Sequence, residues 1–431
     1  MIIYLGLIGT IALFLICLLS PNYKNPLIAL ILIRPIVGAT WNFRYSDMSL
    51  IYIFNAGFIV IFLLRIFLRR EKVEQFPLMG LFFFYTWVTA LASIKIYLSS
   101  GFVTSLDFFA KSSFMPLSFY LFFAWFKKDK DRRALIGAMI ITGFFPLFFT
   151  LYQVVTGHVW VPHVSRGLVR SVGLYHDLVT PKIFFMQSLI GIYIYWNYFI
   201  KKKDIKAKLT WLGLTIIFLA GLYFLYSKAV FVTLALWAMM FIFIRGRFVL
   251  LPVALVALLS LSLFTSNRVL NDINQVFSSE TEYARGELES QYVLSGRVGI
   301  WKSYINLWKT LPVTDKLIGY GRSHGWFHNE YLRLLFSGGL LLLFAFLILA
   351  TMIFVRVFRN FRRTGKATYF AALLCFALLF VESAGQLPGS YPDFQTFVWG
   401  IIGLSFNSIS YADPFSNLIT RRAEFYRLAR G

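Results

Sequence analysis

The chemistry-bearing residues of this chain are an imidazole and a small set of cations placed where apolar segments end. The stretch SGRVGIWKSYINLWKTLPVTDKLIGYGRSHGWFHNEYLRLLFSGGL, Ser295 to Leu340, opens on Arg297 and closes on His328-Asn329, where the chain returns to an apolar run. A neutral imidazole accepts a proton from a hydroxyl near pH 7, and a guanidinium holds an anion through charge-assisted hydrogen bonds. Together they are what group transfer to or from an anionic lipid requires. A lone histidine at a helix start is, as a rule, structural. Here Gly319, Gly321 and Gly325 precede it and Gly338-Gly339 follow, a spacing that suggests backbone packed closely against a ligand.

Three further cations lie at comparable positions. Lys228, in FLYSKAVFVTLALW, sits between two apolar runs with Ser227 as its polar neighbour. It is either a turn lysine snorkelling to the interface or a cation turned into an outward cavity. Arg170, in RSVGLYHD, precedes a span, and Gly173 beside it permits a tight turn or a close approach to a ligand. Arg166 reads as a loop arginine and a secondary candidate. Arg170, Lys228 and Arg297 are suited to clamp a pyrophosphate. Asp107 and Lys111 are four apart on one helix and read as a structural ion pair. Glu382 and Asp393 flank an outer turn, GQLPGSYPD, and either could line the site, though neither is a leading candidate. No histidine, cysteine and aspartate cluster has metal spacing, and neither a nucleotide-binding glycine loop nor a Gly-x-Ser-x-Gly is present. Metal and cofactor are therefore not expected.

These residues must be positioned by helices. The chain has 431 residues, 58% of them hydrophobic and 19% aromatic, with a mean hydropathy of +0.70. Soluble domains sit near 45–50% apolar, so this is a polytopic membrane protein, all-α and a single transmembrane unit over 1–431. Apolar segments of spanning length recur at about 1–20, 26–41, 49–68, 77–98, 104–126, 134–156, 180–200, 209–226, 229–244, 248–265, 328–355, 367–384 and 393–410, giving 12 or 13 spans. Met1 to Ser20 reads as a retained helix rather than a cleaved leader. The second segment, short and carrying Arg34-Pro35, reads as broken or re-entrant. Cys17 and Cys375 lie in apolar runs and fit no disulfide framework.

The net charge of +23 would suggest nucleic acid in a soluble protein; here it follows the positive-inside rule, and no nucleic-acid partner is expected. Basic clusters occupy every second connection: Arg65, Arg69, Arg70 and Lys72; Lys127 to Arg133; Lys201 to Lys208; Arg245 and Arg247; Arg356 to Lys366; and Arg421 to Arg430. The alternate connections then face outward. They include a shorter loop at 157–179 and a long one at 266–327, with an interfacial helix over about 300–311 built on Ile300, Trp301, Tyr304 and Trp308. Asn271 to Ser290, polar and acidic, reads as a cover or lid. All five histidines lie on this side.

The pieces RSVGLY, YSKAVF, SGRVGIW and IGYGRSHGWFHNEYLRLLFSGG are similar to motifs of the O-antigen ligase and O-antigen polymerase superfamily of bacterial inner-membrane glycosyltransferases, the last being the most specific. The resemblance implies an outward-facing, periplasmic-side cavity that receives an undecaprenyl-pyrophosphate-linked glycan. It implies pyrophosphate contacts from Arg170, Lys228 and Arg297, with Arg166 and Asn329 as secondary candidates, and His328 as the base that activates an acceptor hydroxyl. The family's usual arginine after serine is here Lys228, which keeps the charge and loses the bidentate fork. The implied partners are a glycan or lipid acceptor, membrane lipids and a chain-length regulator. The first expectation is an inverting, metal-independent repeat-unit polymerase. A ligase acting on lipid A-core or another acceptor is the alternative within the family. A lipid-linked oligosaccharide flippase is the alternative outside it, disfavoured because no pseudo-symmetric halves are legible.

Overall fold

Long apolar runs in a low-dielectric setting must satisfy their own backbone groups, and the helix does this within one segment. The computed structural model describes residues 1–45, 48–69, 73–165, 167–200, 204–245, 268–321 and 327–407. Several sequence expectations fall outside them: Arg166, Arg70, Lys72, Lys201 to Lys203, Arg247, the 248–265 span, His324, Gly325 and the C-terminal arginines.

The helices run, in order, α1 (Ile2–Leu19), α2 (Lys24–Gly38), α3 (Leu50–Arg69), α4 (Met79–Ser100), α5 (Phe102–Trp125), α6 (Asp129–Thr142), α7 (Phe144–Thr156), α8 (Val179–Phe199), α9 (Ile205–Tyr223) and α10 (Lys228–Met239) with a π turn at Met240–Ile244. After them come α11 (Arg268–Val276), α12 (Ser278–Ala284), α13 (Arg297–Thr310), α14 (Val313–Ile318), α15 (Glu330–Thr364), α16 (Ala367–Gly385) and α17 (Pro392–Phe406). Two-residue antiparallel hairpins, Arg44–Tyr45 with Met48–Ser49 and Val164–Ser165 with Leu168–Val169, are the strands among the described residues. Seven helices there, taking α6 and α7 together through their bend, are long and apolar enough to cross a membrane.

Two expectations change. The Arg34-Pro35 segment is one continuous helix, α2. Proline at 35 removes the donor that would reach the Ile31 carbonyl, and Thr142 Oγ1 supplies a hydrogen bond to that oxygen at 3.3 Å. The polar stretch from Asn271 to Ser290, read as a cover or lid, is largely helical rather than irregular. It folds into parts of α11 and α12, because Asp272 accepts from both Tyr223 (2.6 Å) and Tyr226 (3.2 Å). The stretch read as an interfacial helix is helical, as α13.

The core centres on α5, α16 and α17. Phe119, Phe122 and Trp399 are fully buried there. Gly400 and Gly403 bring α17 onto α5: a Cβ at Gly400 would lie 2.7 Å from the Phe122 ring, and one at Gly403 would strike the Phe119 carbonyl. Small residues permit this backbone approach where lipid supplies no hydrophobic drive.

Basic residues from alternate connections meet at one end of the bundle. Arg245 donates to the Gly365 carbonyl (2.6 Å), Arg132 to that of Asn407 (3.3 Å), and Arg133 lies 4.8 Å from the Phe199 ring. The opposite end gathers the starts of α8, α10, α13 and α15 and the end of α16. Gly403→Val is expected to lower stability by about 1–3 kcal/mol through overpacking, read as a lower melting temperature in detergent. An unchanged melting temperature would remove this contact as the core's tightest constraint.

Candidate functional site

At the end away from the basic loops, a cavity of about 460 Å³ is lined by Arg170, Lys182, Lys228 and Arg297 among apolar walls that include Val232, Phe277, Trp301 and Phe380. Among the described residues, four cations and no carboxylate line it.

Each cation is placed by a different device. The segment carrying Arg170 is pinned by backbone contacts: Arg170 N donates to His163 O (2.8 Å), Ser171 N to Phe224 O (3.0 Å), and the Gly173 N–H to Gln153 Oε1 (3.0 Å). Gly173 has φ +62°, and a Cβ there would lie 2.9 Å from Phe149 Cβ. Its freedom serves the turn and the packing on α7, not a ligand. Lys228 opens α10 and reaches both oxygens of Glu280, at 2.7 and 2.6 Å. Glu280 also accepts from Leu294 N at 2.9 Å. Burial opposes its charge, but the Lys228 ammonium and that N–H outweigh burial, so the carboxyl lies below its ordinary range. Helix α12 therefore supplies the counter-charge that the sequence did not reveal for Lys228.

Arg297 begins α13 after three residues in the left-handed region, Leu294 (φ 55°), Ser295 (φ 61°) and Gly296 (φ 82°). A Cβ at Gly385 would come within 3.0 Å of its Nη1. Burial lowers the guanidinium's affinity for its proton and nearby Glu382 opposes that effect. His328 has φ 45°. It is held between Phe327, whose carbonyl accepts from Trp301 Nε1 (3.0 Å), and Asn329, whose Oδ1 caps α15 at Leu332 N (3.1 Å). Asn329 Nδ2 also donates to Ala384 O (3.3 Å), tying the imidazole's neighbour to the cavity wall. Burial, and then the charge of Arg297, lower the pKa of His328 below its ordinary 6.5. The ring is neutral at pH 7 and able to accept a proton.

Among the described residues, five non-glycines have positive φ: Leu78, Tyr226, Leu294, Ser295 and His328. Four of them adjoin Lys228, Arg297 or are His328 itself. Backbone held in this region is costly for ordinary residues and gathers where surrounding structure must fix a side chain.

The glycines around His328 act otherwise than their spacing suggested. A Cβ at Gly319 would meet the Ser337 carbonyl, and one at Gly339 the Leu317 carbonyl. They close α14 onto α15 rather than onto a ligand, and Gly339 (φ 67°, ψ −165°) bends α15. Of the described histidines, His163 and His176 come together, with ring centroids 6.5 Å apart and His163 Nε2 2.5 Å from His176 O, next to Trp41, whereas His328 is within electrostatic reach of Arg297.

Lys182 is the member that sequence reading passed over. It lies in the first turn of α8 and pairs with Glu382 at 2.6 Å, both side chains 2% exposed. A lysine inside an otherwise apolar helix was the available signal. Glu382 thus has a role, as counter-charge to Lys182 and neighbour of Arg297. Asp393 also has one, as ion-pair partner of Arg34. Asp107 and Lys111 pair at 2.7 Å, as their spacing indicated.

Removing one half of a buried pair costs about 3–5 kcal/mol, whereas replacing both with apolar groups is often neutral. Glu382→Leu is expected to destabilise the protein by that amount, and Lys182→Met with Glu382→Leu to recover most of it. Thermal unfolding of the three proteins measures this. A double variant as unstable as the single would show that the pair does not act as a unit.

The arrangement can hold a multiply charged anion against apolar walls, and the residues on either side of His328 bond to two of the lining residues, Trp301 and Ala384. The chain matches no protein-family model and no curated protein, so a functional reading rests on these residues and their geometry.

Proposed function

We propose that the protein is a membrane glycosyltransferase that moves a glycan from a lipid-pyrophosphate donor to an acceptor hydroxyl. The observation that carries this reading is the convergence of Arg170, Lys182, Lys228 and Arg297 on one apolar-walled cavity, with His328 within electrostatic reach of Arg297. Prenyl chain and pyrophosphate need opposite surroundings, and this cavity offers both. In the proposed reaction the acceptor oxygen attacks the anomeric carbon as His328 takes its proton. The bond from that carbon to the pyrophosphate oxygen breaks, and the electron pair leaves on the pyrophosphate. Fixed cations stabilise the developing charge, and a single displacement inverts the anomeric centre.

The basic end is assigned to the cytoplasm and the cavity end to the outer, periplasmic-side face, on the positive-inside rule. The 12-to-13-span count belongs to this reading, with α2, α5, α8, α10, α17 and the 248–265 segment joining the seven long apolar helices. A repeat-unit polymerase, working from an undecaprenyl-pyrophosphate-linked glycan, is the form proposed; a ladder of products distinguishes it from the single product of a ligase. For topology, a cysteine at Ala284 should react with an impermeant thiol reagent on whole cells and one at Asp204 should not. The reverse pattern would refute the assignment.

Turnover requires neutral His328, so kcat/KM falls as pH drops through its pKa, on a limb below the ordinary imidazole range. Arg297→Gln removes the repelling charge. The limb should then move to higher pH, besides donor binding weakening by about 2–5 kcal/mol. His328→Gln should lose roughly 10²–10⁴-fold in rate while still binding donor. Activity near the parent's in His328→Gln, or a limb unmoved in Arg297→Gln, would end the general-base assignment.

A further inference from the structure

A second cavity, of about 190 Å³, lies close to the first. Two chain segments wall both cavities. Before and within the first turns of α8, Leu178 and Lys182 face the cationic cavity, while Asp177 and Thr180 face the second. In the turn from α16 to α17, Ala384, Gly385 and Gln386 face the first, and Ser390, Tyr391 and Asp393 the second. The two spaces are therefore back to back, and Tyr391 is within electrostatic reach of both Asp177 and Glu382.

Their linings differ in kind. The second cavity presents Asp107, Asp177 and Asp393 with Lys111, Asn55 and Tyr52. Such a lining disfavours an anion, because carboxylates dominate it. It also disfavours a free cation, because Lys111 pairs with Asp107 and Arg34 with Asp393. What remains is a dense set of hydrogen-bond acceptors and donors of nearly balanced charge, beside tyrosine rings that offer an apolar face and a hydroxyl. The volume equals that of about six waters, the space of one sugar ring.

The polar groups are held rigid from behind. Arg34, 4% exposed, donates to Thr396 Oγ1 (2.7 Å) and Asn55 Oδ1 (2.6 Å), pairs with Asp393, and lies 5.0 Å from the Phe114 ring. A guanidinium only donates, so Asn55 must turn its carbonyl to Arg34, which leaves its amide N–H groups for another acceptor. Asp177 spends one oxygen on the Thr180 N–H (2.8 Å). The Arg34 contacts fix these groups before any ligand arrives, which is how a binding site limits its ordering cost.

We infer that this second cavity is a binding site for an uncharged sugar ring, lined by Asp107, Asp177, Asp393, Asn55, Lys111 and Tyr52. That the ring belongs to the glycan being transferred or extended rests on the reading proposed above. Binding of the ring itself does not.

The test uses the full chain in nanodiscs and two probes. Saturation-transfer NMR reports contact with the methyl glycosides of glucose, galactose, mannose, rhamnose and N-acetylglucosamine, and thermophoresis reports binding of sodium pyrophosphate. At least one glycoside should bind the parent. Its affinity should fall about tenfold or more in Asp177→Ala and in the isosteric Asp107→Asn, with pyrophosphate binding retained as evidence of folding. If no glycoside binds the parent, or if both variants bind it as the parent does, the inference is overturned. If glycoside binding behaves as expected and pyrophosphate does not bind the parent, the sugar site stands and the donor reading above fails.

Discussion

The constraint on which this structure depends is that a charge taken into a low-dielectric interior must bring its partner with it. Among the described residues, three pairs meet it: Lys182–Glu382 and Arg333–Glu330, buried on both sides, and Arg34–Asp393, whose guanidinium is buried. Each joins elements that no local propensity would bring together, or anchors one that must stay fixed. Lys182 ties α8 to the end of α16. Arg34 ties α2 to the start of α17 and, through Asn55, to α3. Glu330 takes Arg333 and the Gly389 N–H (3.2 Å), locking the start of α15 to the α16–α17 turn. Such pairs contribute little net stability, yet breaking one is costly, so they specify arrangement more than they stabilise it.

All three lie at the same end of the bundle, and the two cavities are what the arrangement leaves between them. The Lys182–Glu382 pair ties together the two segments whose neighbouring residues line both cavities. It presents an ammonium to one side and puts a carboxylate near Arg297, which moderates the charge there. A cavity of four unopposed cations would repel its own lining. Glu280 behind Lys228 and Glu382 behind Arg297 lower that cost while leaving the lining positive toward an anion. The left-handed backbone at Tyr226, Leu294, Ser295 and His328 belongs to the same economy, since it turns the chain sharply where a cation or the imidazole must be presented.

Much of the helical plan was legible from hydropathy alone. The period and length of apolar runs gave α1, α3, α4, α9 and the long α15, and aromatic residues at helical spacing gave α13. These follow from local chemistry, because a helix satisfies its backbone without help from distant segments. The same is true of the Asp107–Lys111 pair, whose four-residue spacing is its geometry. The glycines were harder. Gly173, Gly319 and Gly339 announced close approach, but the sequence does not say what approaches, and in each case it is another part of the chain.

The sequence by itself determined that the chain is largely helical, with helices long and apolar enough to cross a membrane, and set its clusters of basic residues apart from the connections that carry its histidines. It also singled out Arg170, Lys228, Arg297 and His328 as residues worth following. Tertiary structure alone decided that the first three line one space and that His328 comes within electrostatic reach of Arg297. It also decided that Lys182 belongs with them, and that Glu280, Glu382 and Asp393 are counter-charges. The reason is physical. Hydropathy and helical period are properties of neighbours in the chain, whereas Coulombic pairing joins residues as far apart as 182 and 382, and its partner is chosen only when the helices have packed.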